Sequence, residues 1–264
     1  MKEFLIASTM VWNAALEELF RQVYECGLGG MEFWAQHFYC RQYEEEQYRR
    51  LSVHYPVHTA VHSCSWDLNL CSMNEGIRRT SVEEVIRSMQ LACRLGASEV
   101  TVHPGHLTMP GWRAQSVAAM HRSFQEIADA SYRMDMPVSL EIMEKAKKEF
   151  VTNIEVMKEV TGDLFSFFSY TVDVAHCDSE EEIFCLLEQL PKVSKIHISN
   201  RVGTQYHTPL TDGDYNFADL LPKLHSYHIP MVVEGYDPDG SWRTFWQNVT
   251  FLQAQHRNVQ YRIS

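Results

Sequence analysis

Short apolar or β-branched runs recur along the chain at 3–9, 29–35, 57–63, 99–105, 138–143, 170–176, 195–200 and 230–236. Each has the length of a strand rather than of a helix, and the near-continuous apolar character suits strands covered on both faces. Between the runs the apolar period changes to that of a helix. Over 81–95, Val82, Val85, Ile86, Met89 and Cys93 fall at helical spacing, and Ser81 with Glu84 reads as a capping box that opens the segment. Similar helices fit 14–26, 116–134, 152–161, 180–190, 216–227 and 241–255, with the 36–52 connection helical in part. Parallel strands need crossovers of this kind, and eight such units close on themselves. The expected fold is therefore α/β, a single (β/α)8 TIM barrel spanning 1–264. No G-x-G-x-x-G follows the first run, which weakens an open dinucleotide-binding sheet as the alternative.

Composition narrows the function classes. Hydrophobic residues make up 45% of the chain and no low-complexity tract divides it, so one large core is affordable. A net charge of -11 argues against a broad nucleic-acid footprint, which draws on clustered Lys and Arg, although a local basic groove stays open. The seven cysteines are scattered with no C-x-x-C pair, as expected of reduced thiols in a cytoplasmic protein. The opening "MKEFLIASTMV" is too brief to span a bilayer and lacks a cleavage signature, and no other segment reaches about 18 uncharged apolar residues. No membrane partner is expected.

Polar residues sit where such a barrel carries its active site, at the C-terminal ends of the strands. His62 closes the third run, His103 the fourth, Glu141 the fifth, Asp173 and His176 the sixth, His197 the seventh and Glu234 the eighth. Two positions earlier, on the same strand faces, stand Ala60, Thr101, Ser139, Thr171, Lys195 and Val232, mostly small or apolar. Carboxylates and imidazoles gathered at one barrel mouth would repel one another and lose hydration if nothing lay between them. They supply the oxygen and nitrogen donors that hold a divalent ion such as Mn, Zn, Co or Mg.

At these residues the sequence resembles the xylose-isomerase-like TIM-barrel superfamily of sugar isomerases and epimerases, inosose and dehydroshikimate dehydratases, and endonuclease IV. The segments that carry the resemblance are "VHSCSWDLNL", "VTVHPGH", "SLEIM", "DVAH", "KIHISN", "HTPLTDGDYNF" and "VVEGY", in that order over nearly the whole chain. By the resemblance, Glu141, Asp173, His197 and Glu234 hold the metal shared by the sugar-transforming members, and Glu141 and Glu234 also move protons on opposite sides of the substrate. His62 and His103 match ligands that share the fifth-strand glutamate with a second zinc in endonuclease IV. His176 and His207 match two of three ligands of a third zinc. The third ligand in that family is an aspartate two positions before the second histidine, and here the position is Gln205. Unless Asp212 or Asp214 replaces that anion from the same loop, the third site is lost and His176 is expected to face the substrate as a hydrogen-bonding or proton-handling group, with His62, His103 and His207 left as second-metal or substrate residues.

Further candidates are weaker. Glu32 either lines the pocket or pairs with a buried cation, the inward-pointing Lys195 being a partner. His58, lower in the barrel than His62, reads as a packed histidine. His106 and Arg201 are placed to contact substrate, the latter through a bidentate fork suited to phosphate or carboxylate. Trp34, with Trp66, Trp112 and Tyr236, offers an aromatic face near the strand ends. "EKAKKEF" (144–150) is a local basic patch that reads as a solvated helix start.

The leading expectation is a metal-dependent isomerase, epimerase or dehydratase-like enzyme that acts on a sugar, sugar acid or cyclitol by proton abstraction next to a carbonyl. Its partner is a small carbohydrate-like molecule, and the sequence is silent on whether it forms a homo-oligomer. Two other readings are an endonuclease IV-like zinc phosphodiesterase acting on abasic DNA and a non-catalytic metabolite-binding barrel.

Overall fold

The computed structural model describes the backbone of residues 1–263 and the side chains of residues 1–257. Its strands are β1 (Phe4–Ala7), β2 (Gly30–Trp34), β3 (His58–His62), β4 (Val100–Val102), β5 (Val138–Glu141), β6 (Ser169–Asp173), β7 (Val193–Ile198), β8 (Asn200–Val202), β9 (Gln205–Thr208) and β10 (Met231–Val233). Eight of them close into a barrel in the order β1-β10-β7-β6-β5-β4-β3-β2. The neighbours β1 and β10, β1 and β2, β10 and β7, β3 and β4, β4 and β5, and β5 and β6 all run parallel. The other two strands, β8 and β9, form an antiparallel hairpin outside the barrel. The helices are α1 (Leu16–Glu25), α2 (Ala35–Cys40), α3 (Glu45–His54), α4 (Glu75–Leu95), α5 (Arg113–Met134), α6 (Ile154–Thr161), α7 (Glu180–Gln189), α8 (Phe217–His225) and α9 (Arg243–Ile263). No helix among the described residues is long and apolar enough to cross a membrane.

The continuous apolar runs become fully buried strands: every residue of β1, β5 and β6 is buried, as strands with a covered sheet face on each side require. The chain falls into two compact units, one of Met1–Phe33, His37–Thr59 and the segment from Lys195 on, the other of Trp34–Gln36 and Ala60–Ser194. Phe20, Phe33 and Tyr48 pack edge-on or tilted in the first, with ring centroids 5.2–6.3 Å apart. In the second, Met89, Phe124, Ile127 and Leu140 are fully buried.

The structure moves several expected boundaries. α4 starts at Glu75, six residues before the expected capping box, because Asn74 caps it by accepting from the Gly76 and Ile77 N–H groups at 3.0 and 3.4 Å. Ser81 lies inside the helix, where its hydroxyl donates to the Ile77 carbonyl and accepts from the Asn69 N–H, both at 2.8 Å. The sixth strand stops at Asp173; Val174–His176 form a 3-10 turn, so His176 is presented by a turn rather than a strand. The β8–β9 hairpin interrupts what reads as a plain loop after the seventh run. "EKAKKEF" is not a helix start: Leu107 N–H donates to the Lys148 carbonyl at 3.1 Å, and Lys145 Nζ lies 2.7 Å from both Asp178 Oδ2 and Glu182 Oε2. His58 is exposed at the start of β3 rather than packed.

Candidate metal centre and active site

In the unit that holds Ala60–Ser194, three loops converge after the strands. Gly105 permits the turn after β4, since a Cβ there would meet Asn69 Oδ1 and sit 2.5 Å from the Cys71 nitrogen. Asn69 fastens the same turn, donating to the His106 carbonyl at 2.9 Å while accepting from the His106 and Cys71 N–H groups. This holds His103 Nε2 3.2 Å from Glu141 Oε2, with His62 Nε2 3.6 Å from the same oxygen. A donor atom of each of His62, His103 and Glu141 lies within 4.8 Å of the other two. His62 and Glu141 are buried, and His103 is partly open.

The tautomer of His62 follows from its neighbour. Nδ1 stands 2.9 Å from the Ser63 carbonyl, which only accepts, so Nδ1 carries the proton. In the neutral ring, Nε2 then turns a lone pair toward the Glu141 carboxylate. Two acceptors facing each other at this distance call for a proton or a cation between them. Trp34 stacks on the His62 ring with centroids 3.9 Å apart and planes 7° from parallel, and meets His103 edge-on at 6.0 Å. The indole thus packs against both imidazoles.

Asp173 uses Oδ1 to accept from the Ala175 N–H at 2.7 Å, which forms the turn that presents His176. Its other oxygen, Oδ2, is buried, accepts no hydrogen bond and stands 3.7 Å from His176 Nε2. His176 Nδ1 donates to the Ile142 carbonyl at 2.9 Å, leaving Nε2 toward Asp173 and toward Glu144 Oε2 at 3.6 Å. Burial opposes protonation of this imidazole, but the Asp173, Glu141 and Glu144 carboxylates outweigh it and raise its pKa above the ordinary histidine value.

In the other unit, Glu32 at 0% exposure stands between Lys195 Nζ, 3.6 Å from Oε1, and His197 Nε2, 2.9 Å from Oε2. The expected Glu32–Lys195 pairing is present, and the sequence reading missed the closer histidine. If Nε2 carries the proton toward Glu32, Nδ1 faces Glu234 Oε1 at 3.1 Å as a lone pair. A carboxylate set beside an imidazole in this way is the kind of partner that fixes a histidine's tautomer and ring orientation. No sequence period reveals it, because Glu32 and His197 come from distant strands; the one signal was a carboxylate inside an apolar run.

His207, on β9, adopts a left-handed backbone with φ 59° and places Nδ1 3.1 Å from Ser199 Oγ and 3.5 Å from Glu234 Oε2. The loop after it is tied by the buried Asn200 side chain, which donates to the Leu210 and Tyr215 carbonyls and accepts from the Tyr215 N–H. Arg201 lies 5.3 Å over the Tyr206 ring and donates through Nε to the Gly203 carbonyl at 2.9 Å. His106 is half-buried beside the β4 turn, and burial followed by Lys148 lowers its pKa.

Residues 20–259 match the xylose isomerase-like TIM barrel family, and the chain belongs to it. Its fold is similar to that of a D-tagatose 3-epimerase-like protein (TM-score 0.83, 19% identity, 99% of each chain). It is also similar to a zinc-bound IolI protein (TM-score 0.77, 13% identity, 97% of each chain). Endonuclease IV from Thermus thermophilus shares the barrel as well (TM-score 0.71, 14% identity, 97% of this chain and 99% of that one). Among curated sequences, the uncharacterized protein MJ1311 of Methanocaldococcus jannaschii is 25% identical over 64% of this chain, and the match spans 61% of that protein.

Proposed function

We propose that the protein is a divalent-metal-dependent isomerase or epimerase, or a related dehydratase, that removes a proton next to a carbonyl of a sugar, sugar acid or cyclitol. The observation that carries this reading is topological. Four neighbouring strands in the barrel order, β10, β7, β6 and β5, carry Glu234, His197, Asp173 and Glu141 at or within one residue of their C-terminal ends, none more than 5% exposed. These four would hold the cation. The buried, hydrogen-bond-free Oδ2 of Asp173 fits that role, since a desolvated carboxylate oxygen is costly unless a positive charge or proton meets it. The mixed oxygen and nitrogen donor set suits Zn, Mn, Co or Mg, and a bound ion would polarise a substrate carbonyl and its neighbouring hydroxyl.

The protein's own groups do the rest. Glu141 and Glu234 take and return the proton, as carboxylates within reach of a carbon acid do. His176, anchored through Nδ1, directs Nε2–H at a substrate oxygen. Glu32 keeps His197 in one tautomer and ring orientation. The similar epimerase-like structure supports a carbohydrate substrate, and the acidic net charge of -11 argues for a small molecule rather than DNA.

Metal-loaded protein incubated in heavy water with ketose and inosose panels is expected to introduce deuterium next to the carbonyl of at least one compound; no incorporation across the panel sinks the reading. A phosphodiesterase reading has one observation in its favour, the His62–His103–Glu141 cluster, which offers a second cation site. Gln205 in place of an aspartate weighs against a third. Two or three bound ions together with cleavage of an abasic duplex would establish that reading; one ion without cleavage removes it.

A further inference from the structure

Beside the turn after β4 lies an open groove of about 880 Å³, lined in part by Asp67, Ile77, His106, Thr108, Lys148 and Glu149. That is toward the upper end of the roughly 300–1,000 Å³ found for pockets that take drug-sized ligands, and more than one sugar ring needs. Its lining residue His106 lies three residues beyond His103, and the carboxyl of its lining residue Glu149 is close enough to feel the charges of Glu144, His103, His176 and Glu141. We propose that it is a distal subsite for a second, uncharged glycosyl unit, so that the preferred substrate is a glycoside rather than a free monosaccharide. This rests on the sugar-transforming reading above.

Three features choose that ligand class. The side chains of Asp67, His106, Thr108, Lys148 and Glu149 enter no hydrogen bond or ion pair with other described residues, which leaves donors and acceptors open to a polyhydroxylated ligand. Their charges are mixed, with Asp67 and Glu149 set against Lys148, so the groove lacks the converging cations that select a phosphate or carboxylate. The groove itself is lined by the apolar Met73 and Ile77, and the loops that supply its polar groups also expose Trp66, Met109 and Trp112 at 43%, 55% and 46%. Aromatic and apolar surface next to polar groups is what the C–H faces and hydroxyls of a sugar ring require. Asp67 holds a left-handed backbone with φ 62°, a conformation Asp and Asn tolerate better than most residues, so its carboxyl can be altered to an amide without moving the chain.

The test compares binding of glucose with that of cellobiose, maltose and trehalose by calorimetry, in metal-loaded wild type and in Lys148→Ala, Asp67→Asn and Thr108→Val. At least one disaccharide is expected to bind tenfold or more tighter than glucose, with each substitution removing threefold or more of that preference and leaving glucose binding unchanged. Disaccharides that bind no tighter than glucose, or a preference that survives all three substitutions, overturn the subsite. Deuterium exchange on the same sugars and on the ketose panel separates the two proposals. Exchange on monosaccharides without disaccharide preference removes the subsite alone; a Lys148-dependent preference without exchange on any sugar removes the catalytic reading alone.

Discussion

His197 stands between two buried carboxylates, Glu32 2.9 Å from one ring nitrogen and Glu234 3.1 Å from the other. A carboxylate that takes the outer N–H of a ligating histidine raises its basicity and fixes its orientation. Glu32→Gln is therefore expected to weaken metal binding about 10- to 100-fold while the fold stays intact. Isothermal titration with Zn or Mn against wild type checks this, and unchanged affinity would show Glu32 to be only a partner for Lys195. The sequence marked Glu141, Asp173, His197 and Glu234 because ionisable groups at the ends of apolar runs are conspicuous. It could not show Glu32 beside His197, since that contact depends on how β2 and β7 face each other inside the barrel. His37 gives a second residue-scale case. Its Nε2–H donates to the Trp12 carbonyl and its Nδ1 accepts from Ser8 Oγ, both at 2.9 Å, so the neutral ring is the one the fold fits. Burial lowers its pKa from 6.5 to about 4. The unfolded chain then binds the proton first on acidification, and stability that is full above pH 6.5 is lost as pH falls toward about 4. The loss amounts to roughly 3 kcal/mol at most. Urea midpoints across this range should fall less steeply in His37→Asn than in wild type; parallel slopes would rule His37 out as the source.

At the scale of elements, α4 shows why alternation was legible and boundaries were not. Its apolar period is real, but Ser81 and Glu84 reproduce a capping pattern inside a helix that begins at Asn74. What distinguishes the two sites is tertiary: Ser81 Oγ serves the Asn69 N–H, and Asn69 in turn fastens the loop that carries His106. The serine is a peg between α4 and the turn after β4 rather than a helix start. Ser81→Ala leaves the buried Asn69 N–H without that acceptor, a cost of about 1–3 kcal/mol. Chemical denaturation should show that loss, and hydrogen exchange should quicken at Asn69; a cost below about 0.5 kcal/mol, ordinary for surface changes, would contradict the peg. The β8–β9 hairpin was invisible for a related reason. Its strands are only three and four residues long, and Asn200, the residue that organises it, acts through four contacts with residues 201 to 215 that no period encodes.

Across the whole molecule, the ends of the barrel strands carry a charge arrangement that stability alone would not select. Glu32, Glu141, Asp173 and Glu234 are each at most 5% exposed, in a chain whose net charge is already -11. Desolvating carboxylates costs free energy that hydrophobic replacements of similar volume would avoid. A ligand that binds the folded chain and not the unfolded one recovers that cost by mass action, contributing about 2.7 kcal/mol at a hundredfold excess over its dissociation constant. For a chain of this length each kcal/mol moves the unfolding midpoint by about 2–4 °C. Adding Zn or Mn to chelator-stripped protein is thus expected to raise Tm by roughly 5–11 °C, with the rise lost in Asp173→Asn, whose amide keeps the shape but not the anion. Calcium at the same concentration should give a smaller rise, since it prefers an all-oxygen shell that a histidine interrupts. Equal shifts from all three ions, or a shift that survives Asp173→Asn, would mean that the cation binds elsewhere on the acidic surface, and the buried carboxylates would then need another source of compensation.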